Sequence, residues 1–158
     1  MTQHEIIKGR LDYARKWLNG VLPRLTQEML TWAPTEGMRT IAGQLIEIIE
    51  VEAQLVPVMR DGKELSDDDL AKIIGDSTSL ECLLKDLTDV RDRTLAFLET
   101  LTETELAEEV ILPRWYGAYW PTRSPRAEHF RNIAEHEFYH VGQLISYMWT
   151  RGDNPYEW

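Results

Sequence analysis

Two histidines four positions apart, His136 and His140, are the residues of this sequence best suited to chemistry. Side chains at this spacing project from the same face of an α-helix, so two imidazoles can bind one cation. The chain has only four histidines in 158 residues, and chance alone would rarely produce such a pair. The spacing therefore predicts a metal site on the last long helix. Two hydrogen-bonded histidines without a metal are the alternative.

A third ligand has to come from another helix, and polar residues interrupt the apolar segment around positions 41–59. Burying a carboxylate is costly unless a cation lies beside it. Helical periodicity leaves Glu47 and Glu52 open as ligands, whereas it directs Glu50 toward solvent. Gln44 can serve as a neutral ligand or can support the ligands by hydrogen bonding. The alternative to a role at the metal is that each of these residues forms an ion pair or lies at the rim of the core.

The pentapeptide His136-Glu-Phe-Tyr-His140 also matches H-E-x-x-H, the zinc-peptidase helix in which the glutamate is the general base. Such a peptidase needs a substrate-binding strand as well, and no strand-rich segment accompanies the motif. Glu137 falls within the apolar arc of its helix, so we expect a buried ion-pair partner that supports the site. His129 shares the stripe of the histidine pair and is a further supporting candidate. A ferritin-like di-iron centre needs two Glu-x-x-His pairs, and this sequence has one.

A loop rich in aromatic residues, positions 112–123, precedes the last helix. Its tryptophans Trp115 and Trp120 could roof a pocket over the histidines. Three arginines in or beside the loop could hold an acidic substrate: Arg114, Arg123 and Arg126. Contact with a second copy of the chain is the alternative role for exposed aromatic residues, and we expect a homodimer.

Four segments with apolar residues at helical spacing must position these side chains, and no segment alternates as the strand of a sheet does. Ser79 and Ser124 are expected N-caps, with Pro125 at the first helical position. Short helical connectors are expected at positions 25–30, 66–74 and 103–109. The pattern predicts an all-α fold, an antiparallel four-helix bundle with short connecting helices. Its long helices run from about Glu5 to Leu22, Thr40 to Arg60, Ser79 to Leu101 and Ser124 to Gly152.

Length and charge bound the remaining possibilities. A chain of 158 residues without a flexible linker suits one domain, so we expect positions 1–158 to form a single bundle. The formal net charge of −10 repels phosphate backbones and anionic lipids, and on that ground we expect neither nucleic acid nor membrane as a partner. The first residues contain no apolar signal core, so we expect a cytoplasmic location.

Two segments of the sequence carry a family resemblance. One reads Asn132-Ile-Ala-Glu-His136-Glu-Phe-Tyr-His140-Val-Gly-Gln-Leu144, and the other reads Thr40-Ile-Ala-Gly-Gln-Leu-Ile-Glu47-Ile-Ile-Glu-Val-Glu52. The first resembles the H-x-x-x-H pair followed by x-Gly-Gln-Leu of the DinB/YfiT-like family of metal-binding bundles. The second resembles the helix-two segment of that family, with Glu47 where its members usually have a histidine. The resemblance covers nearly the whole chain and its helix order.

The resemblance selects Glu47, His136 and His140 as ligands of one divalent metal ion, with zinc, nickel or iron as candidates. Two histidines and a carboxylate suit zinc and non-haem iron(II). Family members with known activity are thiol-dependent transferases or isomerases, in which the metal can lower the pKa of the thiol. The resemblance thus implies a metal-dependent S-transferase or isomerase that uses a low-molecular-weight thiol. A non-catalytic, metal-stabilised bundle with a stress-related or dimerisation role is the alternative.

Overall fold

The computed structural model describes all 158 residues of the protein. Its helices are α1 (Gln3–Val21), α2 (Ile41–Asp61), α3 (Asp67–Ile73), α4 (Leu80–Glu99), α5 (Glu103–Ala107) and α6 (Arg126–Thr150). Two strands, β1 (Glu109–Ile111) and β2 (Arg123–Pro125), form a small sheet. Short 3₁₀ helices lie at Leu22–Arg24, Gln27–Met29, Arg114–Ala118 and Pro155–Glu157. The predicted all-α four-helix bundle is confirmed, and none of its helices is long and apolar enough to cross a lipid bilayer.

A layer of four charged side chains crosses the interior of the bundle and divides the apolar core in two. The layer consists of Arg15 on α1, Glu52 on α2, Arg91 on α4 and Glu137 on α6. One apolar cluster lies beyond the layer at the start of α1 and the other at its end. Each long helix contributes side chains to both clusters, so the layer ties all four helices together at one level.

The two clusters also fix the directions of the long helices. The cluster at the start of α1 contains the C-terminal half of α2, the end of α4 and the N-terminal half of α6. Helices α1 and α6 therefore run in one direction, and α2 and α4 run in the opposite direction. Each helix of the first pair is thus antiparallel to each helix of the second pair, while the two helices within a pair are parallel. The connection at positions 62–79, which includes α3, returns the chain to the opposite end of the bundle so that α4 can run parallel to α2.

Side-chain caps set the starts of α2 and α4, and the expected N-cap at Ser79 is confirmed. The hydroxyls of Thr40 and Ser79 accept hydrogen bonds from backbone amides of the first turns of α2 and α4. The expected N-cap at Ser124 is wrong, since α6 begins after Pro125 without a side-chain cap. Ser124 instead pairs with Val110 across the two strands.

The strand pair replaces the end of an expected helical connector. Helix α5 ends at Ala107, and β1 pairs antiparallel with β2 in the register Glu109 to Pro125. Three-residue strands are too short to display an alternating pattern in the sequence. The pair closes the aromatic loop at its base and delivers the chain directly into α6, which carries both histidines.

Candidate metal centre

Glu47 on α2 and His136 and His140 on α6 come together where these two helices pack. One ligand atom from each residue lies within 4.8 Å of the others. The Nε2 atoms of the two histidines are 3.1 Å apart. Two nitrogens bound tetrahedrally to zinc at bond lengths of about 2.05 Å are about 3.3 Å apart. The spacing of the two nitrogens therefore suits a shared cation.

Burial keeps both imidazoles neutral. It lowers the pKa of His136 to about 4, and the positive charge of Arg39 acts in the same direction. Burial lowers the pKa of His140 to about 3, with further contributions from His136 and Arg39. A neutral imidazole has a free lone pair on one nitrogen, and that lone pair is what binds a metal. At neutral pH both side chains are in the ligating form.

A chain of hydrogen bonds fixes which nitrogen of His140 is free. Its Nδ1 lies 2.5 Å from Oε1 of Gln44, an atom that can only accept. The proton therefore sits on Nδ1, and the Nε2 lone pair faces His136. The amide of Gln44 donates to the hydroxyl of Tyr147 at 3.1 Å, and that hydroxyl donates to the carbonyl of Arg39 at 2.9 Å. Supporting partners of this type orient metal-binding histidines in proteins.

Glu47 is held by an arginine that sequence reasoning missed. Nη2 of Arg39 lies 3.0 Å from Oε2 of Glu47. Arg39 directly precedes Thr40, the N-cap of the helix that carries Glu47, and this adjacency was the only signal in the sequence. Glu50 is half-buried near Glu47, and burial and the charge of Glu47 raise its pKa. It is therefore less exposed to solvent than its place on the helix predicts.

Glu52 and Glu137 lie in the charged layer of the core, outside the triad. Nε of Arg91 lies 2.7 Å from Glu52, and Nε of Arg15 lies 2.8 Å from Glu137. Arg91 also bonds the second carboxylate oxygen of Glu137. Glu137 is thus the buried ion-pair partner that its place on the helix predicts. Both of its oxygens are bound by guanidinium groups, which excludes the general-base role of the H-E-x-x-H motif in this arrangement.

Two other expected supporting residues do not reach the triad. His129 is buried, and its Nε2 donates to the carbonyl of Val110 at 3.1 Å, which fastens α6 to β1. Trp115 stacks on Tyr116 and donates to Glu64 at 2.5 Å. Both residues therefore shape the aromatic loop and its junction with α6.

Trp120 is the tryptophan that does approach the triad. Its ring lies edge-on to His136 with the ring centres 5.7 Å apart. Two of the three arginines expected to serve a pocket have other partners, since Arg123 pairs with Glu109 and Arg126 pairs with Glu108. Arg39 is the arginine that lies against the triad.

Two cavities flank this region. A polar cavity of about 750 Å³ adjoins the triad through Gln44, and Arg39, Tyr139 and Gly142 line it. A separate, largely apolar cavity of about 540 Å³ lies between α2 and α4. Glu52 lines that second cavity, but its carboxylate is already paired with Arg91. The polar cavity is the one that adjoins the triad, through Gln44 and Arg39, although none of the three triad residues lines it.

The family of the chain follows from a comparison of its sequence with known families. The DinB superfamily model matches residues 10–144, a range that includes the whole triad. The chain belongs to the DinB superfamily. A comparison with curated proteins found no significant match to the sequence.

A solved structure shares the DinB-superfamily fold of this chain. It is the crystal structure of the colibactin self-resistance protein ClbS in complex with a dsDNA. The TM-score is 0.64 at 18% sequence identity, and the match covers 92% of this chain and 95% of ClbS. At that identity the likeness shows the fold alone.

The expectation that excluded nucleic acid as a partner is wrong, because ClbS has this fold and was crystallised with dsDNA. The exclusion relied on the net charge of −10. Net charge sums over the whole surface of a protein, whereas contact with a duplex depends on the groups on the contacting face. The net charge of a protein with this fold is therefore not enough to exclude nucleic acid as its partner.

Proposed function

We propose that this DinB-superfamily protein binds one divalent metal ion through Glu47, His136 and His140. The observation that supports the proposal is the convergence of two neutral imidazole nitrogens, 3.1 Å apart, beside a carboxylate. Two lone pairs at that separation repel each other unless a cation or a proton lies between them. Three protein ligands would leave a coordination position for a substrate, as in catalytic zinc sites.

We further propose that the protein is a metal-dependent S-transferase for low-molecular-weight thiols. This part rests on the resemblance to thiol-using DinB/YfiT-like proteins, together with the polar cavity that Arg39 and Gln44 line next to the triad. A divalent zinc, nickel or iron ion at the triad would supply Lewis acidity and lower the pKa of a thiol. In the reaction the thiol releases its proton to solvent, and the sulfur lone pair forms a bond to an electrophilic carbon. The leaving group departs with the electrons of its former bond.

The side chains of the chain itself have separate tasks in this proposal. Gln44 keeps the proton of His140 on Nδ1 and thereby keeps its Nε2 available. Arg39 holds one oxygen of Glu47 and leaves the other free. Its positive charge also favours a thiolate over a thiol in the adjoining cavity. Trp120 covers one side of His136 and limits the approach of water from the aromatic loop.

Metal analysis and thiol assays test the two parts separately. Protein purified without an affinity tag is expected to contain one equivalent of metal, and His136→Ala is expected to contain little. The metal-loaded protein is then assayed with bacillithiol, mycothiol and glutathione and a chromogenic electrophile. Turnover that requires both metal and thiol supports the transferase. Metal binding without thiol binding or turnover would favour a non-catalytic, metal-stabilised bundle.

Duplex DNA is a second candidate ligand, which the likeness to ClbS brings to this chain. Its test is the fluorescence anisotropy of a labelled duplex titrated with protein at two salt concentrations. Binding through phosphates weakens steeply as salt rises. Absence of binding at low salt would remove this candidate.

A further inference from the structure

We propose that the apolar cavity between α2 and α4 binds a medium-chain carboxylate, with its chain along the two helices and its carboxylate at Arg93. The cavity is separate from the triad, which lies where α2 packs against α6, and no triad residue lines it. The inference therefore does not depend on the proposed metal or thiol chemistry. The shape, the walls and the charge of the cavity support it.

The cavity is elongated and has the volume of a small-molecule site. Its lining extends from Glu52 to Arg60 on α2 and from Val90 to Thr100 on α4. At a rise of 1.5 Å per residue, these ranges span about 12 Å and about 15 Å. The volume of about 540 Å³ is typical of ligand pockets. It has room for about 18 groups of the size of water, at about 30 Å³ each. A flexible chain of about ten carbons can follow the two parallel helices within that space.

The walls of the cavity are mainly apolar. Half-buried apolar side chains line it: Pro57, Leu65, Ile73 and Phe97. Its acidic residue, Glu52, is buried, and both carboxylate oxygens accept from Arg91. The wall therefore offers apolar surface and no free carboxylate, which favours an alkyl chain.

The connection between α2 and α4 forms a fixed wall of this cavity. The side chain of Gln54 on α2 bonds the backbone of Leu65 twice, at 2.9 Å and 3.3 Å. On the other side, Asp86 on α4 accepts from the backbone amide of Gly75 at 2.9 Å. The segment between these two attachments includes α3 and Ile73, which lines the cavity. Both helices thus hold the segment in place beside the cavity.

Two arginines are the remaining charged residues of the lining, Arg60 and Arg93. Arg60 already pairs with Asp61. Arg93 is exposed and has no ion-pair partner, and the carboxylate one turn earlier on α4, Asp89, pairs with Lys85 instead. A guanidinium group can bind a carboxylate through two parallel N–H donors. An apolar wall with a free cation beside it matches an amphipathic anion.

Three probes with the same ten-carbon chain test the anchor: decanoate, 1-decanol and decyltrimethylammonium. Isothermal titration calorimetry at concentrations below micelle formation gives their Kd values, and we expect decanoate to bind most tightly. Arg93→Met is expected to weaken decanoate about three- to fivefold, as for an ion pair open to solvent, and to leave 1-decanol unchanged. Arg93→Lys should retain most of the affinity. Arg10→Met is the matched control, because Arg10 is exposed on α1 and also has no ion-pair partner.

Chain length and a bulky substitution test the cavity. Decanoate is expected to bind about tenfold more tightly than octanoate, because each fully buried methylene contributes about fourfold in Kd. Ala96 is exposed and lines the cavity, so Ala96→Trp is expected to weaken decanoate and 1-decanol at least about tenfold by filling it. Ala107→Trp is the matched control, because Ala107 is exposed on α5 and lies outside the lining.

Each outcome bears on one part of the inference. Absence of saturable decanoate binding to the wild-type protein would overturn it as a whole. Equal decanoate affinities in Ala96→Trp and the wild type would overturn this cavity as the site. A decanoate affinity that falls in Arg60→Met and not in Arg93→Met would overturn the anchor. These variants leave the triad intact, so metal content and thiol assays are expected to match the wild type and report separately on the proposed function.

Discussion

His136 and Glu137 are consecutive residues on α6, yet their side chains belong to two different structures. Nε2 of His136 faces His140, whereas both oxygens of Glu137 face guanidinium groups of the charged layer. The layer bonds Glu137 to Arg15 on α1 and Arg91 on α4, so it fixes the rotation of α6 about its own axis. This rotation in turn directs the two histidines toward Glu47.

Substitutions on α2 distinguish its two candidate ligands. Glu47→Ala is expected to reduce metal affinity severely, because it removes the third ligand. Glu47→His is expected to restore binding with the three-histidine set usual in the family. Affinity is measured by competition with a chromogenic chelator, and His136→Ala serves as the low-affinity reference. Full metal occupancy at unchanged affinity in Glu47→Ala would remove Glu47 from the site.

Glu52→Gln is the counterpart of that experiment in the charged layer. It leaves the buried charges of Arg15 and Arg91 with Glu137 as the one remaining carboxylate of the layer, so the free energy of unfolding is expected to fall by about 3–5 kcal/mol. Metal affinity is expected to stay within a few-fold of the wild-type value. Urea denaturation and metal titration measure the two effects on the same variant. Loss of metal without loss of stability would place Glu52 at the metal instead.

Replacement of Gln44 tests the orientation of His140. Gln44→Leu removes the acceptor of the Nδ1 proton, so metal affinity is expected to fall about 10–100-fold. Gln54→Leu is the control, since Gln54 lies on the same helix and bonds the backbone of Leu65. Its metal affinity should match that of the wild type. Equal affinities in both variants would show that the hydrogen bond to Gln44 has no role in metal binding.

The stability of the metal-free protein is expected to decrease in acid. Burial lowers the pKa of His136 to about 4 and that of His140 to about 3, both below the ordinary value of 6.5. Below pH 6.5 the unfolded chain therefore binds protons that the folded chain does not. The free energy of unfolding should fall by up to about 1.4 kcal/mol per pH unit and per histidine between pH 6.5 and 4. The double variant that carries both His136→Ala and His140→Ala should lose less stability over this pH range. The measurement is the free energy of unfolding, obtained from urea denaturation at several pH values.

Metal removal is expected to lower Tm at pH 7.5, because a metal that binds only the folded state stabilises it by mass action. As pH falls, protons compete for the same nitrogens and the metal should dissociate. The measurement is differential scanning fluorimetry with and without a chelator, on protein with known metal content. Identical melting curves for loaded and chelated protein would contradict a site that links α2 to α6.

The sequence by itself determined the features that depend on local spacing. Histidines at positions 136 and 140 share a helix face whatever surrounds them, because the helical repeat places them there. The four amphipathic segments and the cap at Ser79 depend on residues within one or two turns. The resemblance added the choice of Glu47 over Glu52, which periodicity had left open.

Only the tertiary structure decided which side chains meet across the bundle. Glu52 faces Arg91, 39 residues away, and Tyr147 meets the carbonyl of Arg39 across 108 residues. Such contacts depend on the direction and rotation of whole helices, which residue spacing within one helix does not specify. The helix pattern located the histidines, while the packing of α2 against α6 brought Glu47 and Arg39 to them.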